Sequence, residues 1–401
     1  MSPRRSRILA IAAACALLLG GASGCTADPQ SSSDTKTPST SAPKPSDSPS
    51  EPAAPEPIHV IGLGDLLPHD SLNANAKLPG GGYDYGQFFD GIRSELDAAD
   101  VTFCNQEVPS AGTSFGISGY PTFNAPTQFA KDLRGSASCD LVNLGTNHSA
   151  DKGTAGIAAT HKVWDKLKPA VVAGSNRNAA EQNTVPVYEQ DGVKIAFLAF
   201  AEYSNAPIDG VSLNLMSNTG LVKRLMKQAK QQADVVIVSA HWGTEDSHVV
   251  NDQQKGFAKL LAGLGADVII GTGPHVLQSV KWVKGRDGHR TLVWYSIGNM
   301  LHTQLALDER TGLIAGFELV RDKVGGPVRV ENPTGVLTYM HYDWTAAQEA
   351  ANDLPARHGL ELVPLADADP LLQRTRFDVT AQQQADAMAK ILGSTVKLQD
   401  R

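Results

Sequence analysis

Past residue 57 the chain alternates between short β-branched apolar runs and longer stretches whose apolar residues recur at helical spacing. The runs fall at 58–63, 101–103, 140–144, 171–173, 194–200, 234–239, 267–270 and 292–295. They are apolar nearly throughout, as strands covered on both faces read. Between them, 154–167 places Ile157, Trp164 and Leu167 at helical intervals and is stopped by Lys168-Pro169. The stretch 256–264 sets Phe257, Leu260, Leu261 and Leu264 on one face, and 381–392 reads as a terminal helix. Strand-helix alternation of this kind predicts an α/β layered fold around a largely buried sheet. No repeat of 20–50 residues is present. After 336 the pattern is mixed and carries no readable chemistry.

The first 57 residues obey other rules. Arg4, Arg5 and Arg7 precede an apolar run over 8–19 that is short for a membrane span, and Gly20-Gly-Ala-Ser-Gly-Cys25 closes it. That ending resembles a bacterial lipobox, with Ala22 where leucine is usual, so residues 1–25 read as a lipoprotein signal and Cys25 as the lipidated residue. Plain secretion is the alternative. Residues 26–57 are Ser, Thr, Pro, Ala and charged residues with almost nothing apolar to bury, which predicts a disordered tether. Both features place the folded part outside the cytoplasm, at the cell membrane or secreted. Cys104 and Cys139 are then an even pair in an oxidising compartment, either a disulfide or two buried thiols. The net charge of -7 offers no basic stripe for a phosphate backbone, so nucleic acid is excluded as a partner.

The residues at the strand ends change the picture further. The apolar runs lead in turn into Asp65, Asn105-Gln-Glu107, Asn147-His148, Glu202, His241-Trp-Gly-Thr-Glu245, Pro274-His275 and Ser296-Ile-Gly-Asn299. Each alone is more often a turn former, a helix cap or a satisfied buried side chain. Their joint placement at the carboxyl ends of strands is where open α/β sheets bind ligands. Asp65, Glu107, Asn147, His241 and His275 form a mixed oxygen-nitrogen donor set without thiolates, suited to Mn²⁺, Fe²⁺ or Zn²⁺. Glu107 could bridge two ions, and such a pair can clamp the oxygens of a phosphoryl transfer. His148, three residues before Asp151, fits a general acid whose imidazole a carboxylate orients. Gly80-Gly-Gly82 lacks the Lys-Ser/Thr of a phosphate loop, and no Gly-x-Ser-x-Gly elbow supports a serine hydrolase.

In this order the motifs resemble the CapA family of bacterial capsule (poly-γ-glutamate) synthesis proteins. Tyr120-Pro-Thr-Phe123-Asn-Ala-Pro126 is similar to that family's segment between its second and third motifs. The resemblance spans 58–336 and leaves 337–401 as a C-terminal extension packing on the domain. It implies a metallophosphatase-type four-layer α/β/β/α sandwich holding one or two divalent ions. Asp65, Glu107, Asn147, His241 and His275 would be ligands, and His148 with Asp151 the acid and its orienter. Asn105, Glu245 and Asn299 stand beside them as substrate-binding candidates. A divalent-metal-dependent hydrolase in cell-surface polymer biosynthesis is the function implied, with a polymer or phosphoester substrate and a capsule synthesis or export complex as partners. The alternative is a non-catalytic, polymer-binding or export-complex subunit. Leu67 and Gly273 stand where further histidine ligands are usual in metallophosphatases; the CapA branch commonly lacks the first, and Gly273 favours the alternative. His69, His248 and His302 are expected at the surface.

Overall fold

The structure, a computed structural model, describes residues 54–399. The signal segment, Cys25 and nearly all of the tether lie outside the described residues. The strands run β1 (Ile58–Leu66), β2 (Val101–Gln106), β3 (Cys139–Asn143) and β4 (Val171–Ala173). Next come β5 (Val187–Gln190), β6 (Val193–Ala201), β7 (Val235–His241), β8 (Val268–Thr272), β9 (Val280–Lys284) and β10 (Arg290–Trp294). The last are β11 (Asn299–Leu301), β12 (Thr311–Val320), β13 (Arg329–Asp343), β14 (His358–Pro364) and β15 (Lys397–Leu398).

The first four and the last five strands share one sheet, in the order β14-β13-β12-β1-β2-β3-β4, with β11 pairing to β1 and β15 to β13. The middle six make a second sheet, β5-β6-β7-β8-β10-β9. All eight expected runs are strands. β1 to β4 are parallel, as are β6, β7, β8 and β10, so each group points its carboxyl ends the same way.

Side-chain alternation explains the layering. In β7, Val235 and Ile237 face the core between the sheets, while Val236, Val238 and Ala240 face the opposite way. Phe103 of β2 meets Phe197 of β6 across the gap, with ring centroids 5.9 Å apart. Outside the first sheet, the helix Thr127–Gly135 packs Phe129, Ala130 and Leu133 with Cys104 and Val142. Outside the second, the helices Thr219–Gln232 and Asp252–Gly263 bury Leu221, Leu225, Phe257 and Leu261. The result is the expected four-layer α/β/β/α sandwich, with three apolar layers in which each buried leucine or phenylalanine contributes about 1.5–3 kcal/mol.

The boundary at 336 has no structural counterpart, because β13 runs through it unbroken and β14 extends the same sheet. Residues 337–399 therefore help form the sheet. The helix Ala381–Leu392, opened by a Thr380–Gln383 capping box, buries Met388 and Leu392 in the inter-sheet core. A disulfide joins Cys104 of β2 to Cys139 of β3, whose Cα atoms are 5.6 Å apart.

Candidate metal centre

The carboxyl ends of β1, β2 and β3 meet those of β7 and β8 along one rim of the sandwich. Asp65 closes β1, where Gly64 lies so near β11 that a Cβ would sit 1.9 Å from the Gly298 carbonyl oxygen. Asp65 is fully buried. Asn105 donates to its Oδ1 (2.7 Å), and the Gly273 backbone N–H donates to its Oδ2 (3.2 Å). Glu107, just past β2, is also fully buried, and neither of its carboxylate oxygens has a hydrogen-bond partner. Such a group is among the costliest a folded protein can carry unless a cation compensates it.

Both histidines converge on that carboxylate. His241 Nε2 lies 3.8 Å from Glu107 Oε1, and His275 Nε2 lies 3.9 Å from the same atom. His241 also meets Asn147 Oδ1 through Nε2 (3.0 Å) and Thr272 Oγ1 through Nδ1 (3.0 Å), which fixes its ring. One donor atom each from Asp65, Glu107 and His241 all lie within 4.8 Å of one another. The five residues expected as ligands are thus brought together, and Glu107's two orphaned oxygens fit a divalent ion bound among them.

Electrostatics agree with that geometry. Burial, with Asp65 beside it, raises the Glu107 pKa well above the ordinary carboxylate range. Burial holds His241 down to about 4. Burial also opposes charge on His275, but Glu107 and Asp65 overcome it and raise this histidine to about 10. His275 Nδ1 sits 3.1 Å from Asp65 Oδ2 and 3.0 Å from Asn299 Oδ1. His275 also adopts a left-handed backbone, φ 61°, a strain found mostly at functional sites.

Beside this cluster, His148 Nδ1 meets Asp151 Oδ2 at 2.8 Å, and the Phe123 backbone N–H holds the same oxygen at 2.7 Å. The Phe123 ring stacks edge-on against the imidazole, with centroids 4.7 Å apart. Asn205 reaches His148 Nε2 from the β6–β7 connection (3.3 Å), and its backbone N–H donates to the Asn147 carbonyl. Sequence reasoning misses Asn205, since its loop carries no motif.

The substrate-binding candidates divide. Asn105 is fully buried, braced by Asn143 (2.6 Å), and positions Asp65. Asn299 is buried and holds His275, its amide donating to the Glu309 carbonyl. Both are positioning residues, because their side chains are spent inside the protein. Glu245 is exposed and accepts from Tyr203 (3.3 Å), near enough for its charge to act on Glu107 and His275. His302 and His69 correct the surface expectation. His302 is buried with Nε2 unpartnered, and burial pushes it well below its ordinary value. His69 is half-buried at Thr303 and is held down to about 3 by burial and then by Arg357. His248 stays half-buried, bonded to Asp308 at 3.0 Å.

Gly273 explains the missing ligand. Its φ of 103° is one that side-chain-bearing residues rarely adopt, and a Cβ would lie 3.2 Å from His241 Nε2. Its N–H, not a side chain, serves the site.

The chain belongs to the family described as bacterial capsule synthesis protein PGA_cap, whose pattern matches residues 59–304. It is similar to the PGA biosynthesis protein CapA of Bacillus subtilis (strain 168), 28% identical over 193 residues, covering 46% of this chain and 48% of that protein. It is also similar to the capsule biosynthesis protein CapA of Bacillus anthracis, 29% identical over 171 residues, 41% and 40% of the respective chains. The matches span about half the length of these curated relatives or less. A 5'-nucleotidase structure from Candida albicans SC5314 overlaps 70% of this chain and 51% of its own, with 13% identity and a TM-score of 0.39, too loose to carry an argument.

Proposed function

We propose, with that family membership as premise, that this protein is a divalent-metal-dependent hydrolase of a phosphoester or related bond in cell-surface polymer biosynthesis. It would act outside the cytoplasm, anchored through an acylated Cys25. The observation that carries the reading is Glu107, a buried carboxylate with two orphaned oxygens facing two histidines. Asp65, Glu107, Asn147, His241 and His275 would hold one or two ions of Mn, Fe or Zn. A bound ion would supply Lewis-acid polarisation of a substrate oxygen.

The chain's own residues do the rest. Asp151 accepts the Nδ1 proton of His148 and keeps Nε2 as the working nitrogen. Nε2 faces the Asn205 amide nitrogen, which suits a base; turning that amide presents its oxygen and suits a protonated Nε2 that donates to a leaving group. The Phe123 ring covers one side of the imidazole and keeps water from it.

The test is metal content by plasma mass spectrometry of protein purified without chelators. Near-stoichiometric Mn, Fe or Zn that is lost in His241→Ala and in His275→Ala is the expected result. No metal after reconstitution would sink the hydrolase. Gly273, whose backbone cannot easily bear a histidine, favours a second reading: a non-catalytic subunit that binds polymer or an export complex. Metal retention without any turnover across phosphoester, ester and amide substrates would select it.

A further inference from the structure

Residues beyond the family match build a second cluster of unmet polar groups, apart from the metal centre. Arg310, just before β12, is only 4% exposed. Its Nε donates to the Met340 carbonyl (2.9 Å), and its guanidinium lies over the rings of Tyr342 (4.0 Å), Tyr339 (5.0 Å) and Phe377 (5.4 Å). Its Nη2 is buried with no hydrogen-bond partner, and among the described residues no carboxylate pairs with it. The hydroxyl of Tyr339, on one of those rings, is also buried, with Arg310 and Thr375 beside it but no well-formed hydrogen bond to either. Aromatic faces return about 0.5–2 kcal/mol to a cation, less than the several kcal/mol that burying an unpaired guanidinium costs. A counter-ion is therefore wanting.

Arg310 lines a cavity of about 30 Å³ with Tyr342, Trp344, Phe377, Arg374 and Arg376. The acids nearby are already engaged: Arg374 holds Asp343 and Arg376 holds Glu349. The cavity exceeds the ~10–15 Å³ that a water needs, so there is room for one small planar group. A carboxylate matches the flat edge of a guanidinium.

We propose that this cavity receives a single carboxylate of a ligand whose bulk remains outside. Arg310 is the anchor over its aromatic floor, and Arg374 and Arg376, held by Asp343 and Glu349, form the rim that keeps those acids from facing the group. The site lies outside the metal cluster, so its occupancy does not depend on the proposed hydrolysis.

The test is calorimetric titration of the purified protein with sodium acetate at constant ionic strength, with inorganic phosphate in parallel. Saturable acetate binding, weakened about tenfold or more in Arg310→Met and less in Arg310→Lys, supports the proposal. Should Arg310→Met fail to fold, Arg376→Ala on the exposed rim serves instead, with acetate weakened about threefold and melting unchanged. Absence of saturable acetate binding, equal affinity in wild type and variants, or uptake of phosphate in preference to acetate would each overturn it.

Discussion

In the metal-free protein the Glu107 carboxyl is pushed toward its neutral form, and a cation must compensate it whenever it ionises. Burial and Asp65 both disfavour its ionised form, and no donor reaches either oxygen. Glu107→Gln keeps the shape but removes the anion that most raises His275, so the variant should lose its metal, and the metal-free protein should lose the stability that the His275 proton supplies at neutral pH. Thermal melting beside metal analysis checks this, and a metal-free variant that melts higher than the wild type at neutral pH would contradict the pairing. His148 and Asp151 differ in kind from it. His148→Ala should reduce any metal-dependent turnover by about 10²–10⁴-fold in a variant that still folds, melting slightly lower because Asp151 and Phe123 lose a partner. Asp151→Asn should cost less in turnover but more in stability, because it also loosens the loop at Phe123. Turnover beside melting separates the pair. These residues were legible because each ends a strand with a side chain whose type narrows the chemistry. The roles of Asn105 and Asn299 were not, since a carboxamide that positions a ligand and one that meets substrate read alike.

Among the elements, the central parallel strands β1–β4, β6–β8 and β10 declared themselves through apolar runs, and the antiparallel and short edge strands did not. β12 carries Gly312 and Gly316 inside an apolar run, and β13 holds Asn332-Pro333 near its start, both of which read as loop. Pairing makes them strands, β12 with β1 and β13, and β13 also with β14 and β15. The turn after β8 shows the same limit at the site. A missing histidine at 273 was visible, but the φ of 103° that forbids one was not. Gly273→Ala should therefore destabilise by about 1–3 kcal/mol, and Gly273→His should lower metal affinity instead of adding a ligand. Chemical denaturation and metal titration check the two. The β2–β3 disulfide is a separate support at this scale. It closes a loop with a sequence separation of 35, so reduction should cost about 4 kcal/mol on the chain-entropy account. Melting with and without reductant reads it directly.

Across the whole molecule, buried histidines set the acid limit. Burial lowers His69, His241, His302 and His341, the last to about 4, whereas each would titrate near 6.5 when unfolded. The unfolded chain thus binds protons that the folded one refuses, so stability present above pH ~6.5 is lost as pH falls toward 4, by up to about 1.4 kcal/mol per pH unit for each group. His275 works in the other direction. Raised to about 10, it contributes stability that is complete below ~6.5 and lost as pH rises toward 10. The histidines by themselves therefore give the metal-free protein its highest melting near pH ~6.5 with a fall on both sides, and Glu107, also raised, adds to the loss on the alkaline side. His302→Asn should flatten the acid arm without touching the alkaline one, and His275→Gln should do the reverse. Bound metal should change the two arms unequally. It would replace the His275 proton, removing the alkaline loss, while acid would now have to displace the ion as well as protonate His241, which steepens the fall below neutrality. Melting curves from about pH 4 to about pH 10, with and without the ion, test both statements, and superimposable curves would place the metal somewhere other than these histidines.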